Sequence, residues 1–116
     1  MKRKMEGDEF MQLLKSLKLS YSHVTEYDIT LFQTPLFGQK KGYKKVYQLK
    51  VAGKNHEEIL YKVFATFNTL DSLPKDYHAR YLGTGDIVFI DEGRNGHFYY
   101  QLKSGGWTTI NRIHIR

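Results

Sequence analysis

The side chains best suited to hold a metal or move a proton at neutral pH are five histidines, His23, His56, His78, His97 and His114. They are scattered. No two stand at the i, i+3 or i, i+4 spacing that brings imidazoles onto one ion, so the spacing indicates no metal site. His56-Glu57-Glu58 contains the H-x-E of zinc deaminases, but the chain has no cysteine to complete such a site. The same three residues suit the first turn of a helix, where acids complement the dipole. No serine sits in a G-x-S-x-G elbow. The carboxylate pairs Glu57-Glu58 and Asp91-Glu92 are chain neighbours, whose side chains diverge in helix and strand alike. Leu82-Gly83-Thr84-Gly85-Asp86 could offer backbone N–H groups to phosphate, but such cradles follow a strand and open a helix, whereas this one precedes a strand. No Walker motif completes it. It reads as a tight turn with Asp86 bonding nearby backbone. The residues thus imply no catalytic, cofactor-binding or metal-ligating group and a chain that is not an enzyme. An enzyme would need acids and histidines assembled in space around a pocket.

Charge gives the stronger functional signal. Eighteen Lys and Arg face twelve Asp and Glu, a formal net charge of +6 with histidine neutral. Lys40, Lys41, Lys44, Lys45, Lys50 and Lys54 fall between Gly38 and Lys54 with no acid among them, and Tyr43 and Tyr47 are interleaved. Arg94, Lys103, Arg112 and Arg116 follow the last acid. Cations and rings on one exposed face suit an acidic protein surface or a nucleic-acid backbone, because charge steers both encounters. Lysine outnumbers arginine in the first cluster, which weakens bidentate phosphate reading. Phe37 in the basic loop and Trp107 after a double glycine are the candidate exposed anchors. The expected partner-binding set is Phe37, Lys40, Lys41, Tyr43, Lys44, Arg94 and Trp107.

The elements that must position these groups follow from periodicity. Phe10, Leu13, Leu14 and Leu17 recur at helical spacing within 8–19. From Glu26 to Gln33 the period is two, with Tyr27, Ile29 and Leu31 opposing Asp28, Thr30 and Phe32. A second alternating run spans Tyr43 to Val51, joined to the first by the loop 34–42, so the two form an antiparallel hairpin. Asn55 with Glu58 has the form of a capping box, and Ile59, Leu60, Val63, Phe64 and Phe67 mark a helix ending near Asn68. Three strands close the chain: Ile87 to Asp91, His97 to Leu102 and Trp107 to Ile115. Asn95-Gly96 supplies a turn that tolerates positive φ.

With 116 residues, 41% of them hydrophobic, and no linker or repeat, the chain is one domain, 1–116, able to bury a core without staples. The absence of cysteine excludes disulfide scaffolds, thiolate metal sites and a thiol nucleophile, and suits a reducing cytoplasm. The charged stretch Met5 to Glu9 interrupts what would be an export signal, and no run is apolar enough to span a bilayer. The fold class is α+β: a curved antiparallel sheet of about five strands, one packed helix and an additional N-terminal helix.

Several segments together resemble the YodL family of small bacterial proteins. They are Ile29 to Pro35, the loop Phe37-Gly38-Gln39-Lys40-Lys41-Gly42-Tyr43, the helix end Val63 to Asn68, Leu82 to Val88, and the tail from Phe98-Tyr99-Tyr100 through Gly105-Gly106-Trp107 to Ile113. The resemblance spans 26–116 and leaves 8–19 as an N-terminal extension. It implies a cytoplasmic, non-enzymatic regulator of cell shape in Gram-positive spore formers, acting on the actin-like MreB cytoskeleton. Domains of this type also occur on mobile elements, which keeps a nucleic-acid-binding role open. The family supplies no functional residues to carry over.

Overall fold

A computed structural model describes residues 24–111. The helix expected over 8–19 and the end expected for the last strand, 112–115, lie outside them. The described elements are β1 (Thr25–Gln33), β2 (Lys44–Gly53), α1 (His56–Phe67), β3 (Ile87–Asp91), β4 (His97–Lys103) and β5 (Gly106–Ile110). The strands form one open antiparallel sheet in the order β2-β1-β3-β4-β5. From β2 the chain crosses one face through α1 and enters the sheet again on the far side of β1.

Alternation decides which residues α1 covers. Tyr27, Ile29 and Leu31 stand opposite Val51, Leu49 and Tyr47 on β2. Val88 and Ile90 meet Tyr100 and Phe98 on β4. Onto these α1 lays Ile59, Leu60, Val63 and Phe67, all buried, and the core is completed by Tyr77 and Leu82 from the long α1–β3 connection. Each fully buried Ile, Leu, Val or Phe contributes about 1.5–3 kcal/mol relative to an exposed one. Phe64, expected in the same stripe, lies at its exposed margin.

The two ends of α1 are fixed by side chains. Asn55 Oδ1 accepts from the N–H of Glu58 at 2.8 Å, while the Glu58 carboxylate accepts from the N–H of Lys54 at 2.6 Å, one residue before the usual partner in a capping box. At the other end, Ser72 Oγ donates to the carbonyls of Ala65 and Thr66, and the Leu82 N–H donates to the Phe67 carbonyl. These bonds satisfy acceptors that a helix end leaves open.

Two local expectations are corrected. Between β1 and β2 the register shifts: Leu31 faces Tyr47 but Phe32 faces Lys45, so Val46 is a bulge and Lys44 and Lys45 do not continue the alternation set by Tyr47. In the β3–β4 turn, Asn95 has negative φ, and the positive angles fall on Gly93 (59°) and Gly96 (129°). The turn is a short 3-10 helix, Gly93–Asn95, not a two-residue Asn-Gly turn.

Candidate functional site

The register brings three connections to one end of the sheet: the β1–β2 loop, the glycine turn before β3 and the β4–β5 turn. A hollow of about 630 Å³ opens there, lined by Phe37, Lys40, Tyr43, Gln101, Lys103 and Ile110 among others. Phe37 is 65% exposed. Its ring lies 5.7 Å from the guanidinium carbon of Arg80, within reach of a cation–π contact. Lys40 and Lys103 are exposed at the rim.

Tyr43 is not a surface anchor as expected. It is buried, its hydroxyl donates to the Gly85 carbonyl at 2.6 Å, and Gln101 Nε2 donates to the Tyr43 hydroxyl oxygen at 3.0 Å. Burial, reinforced by the Asp86 charge, pushes its phenol above the ordinary value, although the Gln101 bond pulls the other way. The residue forms the floor of the hollow.

The remaining expected residues are dispersed. Lys41 is exposed in the same loop. Lys44, opposite Gln33, lines a separate hollow of about 270 Å³ with Thr34 and Arg80. Arg94 is exposed in the β3–β4 turn, at the far end of the sheet from Lys40. Trp107 is half-buried at the margin of the core on the α1 side. Of the seven, therefore, Phe37, Lys40 and Tyr43 share one site, with Lys103, Gln101 and Ile110 supplied by the sheet.

Beneath the basic end lies a buried polar cluster. Asp86, 1% exposed, accepts from Gln33 Nε2 at 2.9 Å, from the Gly83 N–H at 2.8 Å and from Arg80 Nη1 at 3.0 Å. Arg80 Nη2 also donates to the Thr34 carbonyl. The bond from Asp86 to its own turn was expected from the sequence. Its pairing with Arg80 and Gln33 was not, and the glycine turn is thereby committed to holding the fold.

A second polar group, invisible to spacing arguments, stands on the α1 side. His56 bonds through Nδ1 to the Tyr100 hydroxyl at 2.6 Å and through Nε2 to Glu92. Its ring is enclosed edge-on by Tyr27, Phe98 and Tyr100. The Tyr100 phenol is pushed up by burial and by the Glu92 charge. Beside this group a hollow of about 610 Å³ is lined by His56, Glu57, Leu60, Tyr100, Trp107 and the threonines of β5. Only the strand register, which sets Tyr100 on the face that α1 covers, could have signalled it. Among the described residues no three His, Asp or Glu side chains converge as a metal site would need, and no helix is long and apolar enough to cross a membrane.

Over the described residues, fold and surfaces define a small α+β domain with an open antiparallel sheet, one packed helix and shallow hollows on both sheet faces. The profile of a family described as "YodL-like domain" matches residues 11–112, and the chain belongs to that family. The match begins inside the 8–19 segment, further toward the N-terminus than the motifs that carry the resemblance. The chain is 50% identical over 90 residues to a Bacillus subtilis (strain 168) protein named "Uncharacterized protein YodL", an alignment covering 78% of this chain and 86% of the relative. No solved structure matches it significantly.

Proposed function

We propose that this chain is a non-enzymatic regulatory protein that docks on an acidic protein surface through the basic hollow, Phe37 acting as apolar anchor and Lys40 and Lys103 as steering charges. The observation that carries this reading is the exposed Phe37 ring beside an apolar-walled hollow with a lysine on either side. Interfaces concentrate binding energy in such an aromatic anchor, while rim charges raise the encounter rate. The partner implied by the family resemblance is the actin-like MreB filament, with action in the cytoplasm. Lys41 adds to the same field; Lys44 and Arg94 lie on other surfaces and are left out.

The test is a binding measurement against purified filament protein. Phe37→Ala, or Lys40→Glu combined with Lys103→Glu, weakens binding at least about tenfold, the effect of losing one interface anchor. Arg94→Glu leaves it unchanged. Equal binding by all variants rejects the site.

A nucleic-acid reading draws on one observation: Phe89 and Tyr99 are stacked, centroids 4.6 Å apart, on the sheet face that also bears Lys45 and Lys103. Binding to random oligonucleotides that falls steeply with salt would favour it.

A further inference from the structure

We propose that residues 8–19, which lie outside the described part of the chain, dock as an amphipathic helix on the sheet face opposite α1. The basic loop with Phe37 and Lys40, which follows β1, is no part of that seat, although Ile110 borders both surfaces.

Register defines the face. The alternation that turns Ile29, Leu31, Val88 and Ile90 toward α1 sends their strand neighbours the other way. Across β1, β3, β4 and β5 these line up as Thr30, Phe89, Tyr99 and Ile110, and the next row holds Phe32, Ile87, Gln101 and Thr108. Ile87 is buried, Phe32, Phe89, Tyr99 and Ile110 are half-buried, and the Phe89 and Tyr99 rings stack with centroids 4.6 Å apart. An antiparallel sheet that meets water on one side carries polar residues there. Strand β2 fits that rule, with Lys45, Gln48 and Lys50, but the middle of the sheet does not. The one described helix packs on the other face, so the described residues supply no helical cover for this apolar patch.

Pattern, reach and charge select the occupant. Phe10, Leu13, Leu14 and Leu17 recur at helical spacing, and a helix of this length is marginal in water unless its apolar face is packed. The family profile begins at residue 11, so Leu13, Leu14 and Leu17 fall within the shared domain. Residues 20–24 join the segment to β1 at Thr25. They reach about 17 Å, and the segment as a helix is about 18 Å long, against about 13 Å from Asp28 to Phe32 along the strand. Doubling back at Thr25, the segment therefore spans both apolar rows. Charge favours the same direction. Its end, with Lys15 and Lys18, then lies over the sheet end that bears Glu26 and the cross-strand pair Asp28 and Asp91. Lys50 answers Asp28, and His97 stands 3.4 Å from Asp91. Its start, with Asp8 and Glu9, falls toward Lys45 beside Phe32. A seated helix hides Phe89 and Tyr99 from nucleic-acid bases.

The test is NMR on the full chain, labelled on leucine methyls and on phenylalanine and tyrosine rings. The expected result is short-range NOEs from the methyls of Leu13, Leu14 and Leu17 to the rings of Phe89 and Tyr99. Leu13→Asp combined with Leu17→Asp abolishes them and shifts the Phe89 and Tyr99 ring resonances, while those of Phe67, buried beneath α1, stay in place. In a mixture of methyl-labelled and ring-labelled chains no such NOE passes between copies. Methyl contacts to the exposed α1 rings Tyr61 and Phe64 instead, contacts seen only between copies, or Phe89 and Tyr99 rings untouched by these methyls overturn the proposal.

Discussion

At Asp86 one buried carboxylate receives a side-chain amide, a backbone N–H and a guanidinium, and these come from three separate stretches: β1, the glycine turn and the irregular segment before it. Arg80 in turn is held by Asp86, by the Thr34 carbonyl and by the Phe37 ring. A buried pair of this kind is weak evidence of net stabilisation, since desolvating both charges offsets much of their attraction. Removing one member is another matter. Asp86→Ala leaves Arg80 without its counter-charge and the Gly83 N–H without an acceptor, which costs about 3–5 kcal/mol. Chemical denaturation should show a midpoint lowered accordingly; a loss below about 1 kcal/mol, the worth of one ordinary hydrogen bond, would mean that water replaces the carboxylate at little cost. The same side chains explain why the loop carrying Phe37 and Lys40 has a defined place. Arg80 grips both the start of that loop, at Thr34, and its aromatic tip.

Helix α1 depends on how it is started. Asn55→Ala removes the acceptor for the Glu58 N–H and should cost about 1 kcal/mol. Gly53, buried just ahead, would place a Cβ 2.8 Å from Ile59 Cδ1, so Gly53→Ala makes the buried Ile59 side chain shift in its packed site and should cost about 1–3 kcal/mol. Thermal melts of the two variants check both values, and a neutral Gly53→Ala would show that the Ile59 side chain turns aside freely. The cap was legible in the sequence because Asn55 and Glu58 are three residues apart, and β1 and β3 were legible because their apolar patterns are local. The 3-10 turn, Tyr77 and Leu82 were not, since the connection from 68 to 86 buries side chains without any period. Lys44 was misplaced by the bulge at Val46, which no alternating pattern announces. Tyr43 was misread because its hydroxyl partner, Gly85, lies 42 residues away. Within the candidate site, Phe37 and Lys40 were found together because one short loop carries both. Lys103 and Ile110 join them only through sheet order, and His56, Glu92 and Tyr100 meet only through register.

At the scale of the whole molecule, tyrosine hydroxyls tie irregular chain to the sheet at two places and brace the α1–β3 connection at a third. Tyr43 bonds the glycine turn, Tyr100 bonds the start of α1, and Tyr77 donates to the Arg80 carbonyl while packing against Tyr47 and Phe67. All three phenols are pushed upward, burial being the first cause, and Tyr77 reaches about 12 from an ordinary 10.0. The sign of the consequence is fixed by linkage. In the unfolded chain the phenol loses its proton near pH 10, whereas the fold retains it, so above that pH the folded state binds more protons and stability falls. The contribution is complete below pH 10 and is lost as the pH climbs through 12. Lys50, raised chiefly by its bond to Asp28, acts in the same direction. The denaturation midpoint should therefore hold steady up to about pH 10 and decline beyond it, with a shallower decline in Tyr77→Phe, which has no phenol to ionise. A parallel titration of phenolate absorbance should show the buried part of the signal, Tyr77 included, appearing only as the fold opens. If Tyr77→Phe follows the same alkaline slope as the parent chain, the proton held by Tyr77 is not what ties the α1–β3 connection to the core, and aromatic packing alone secures it.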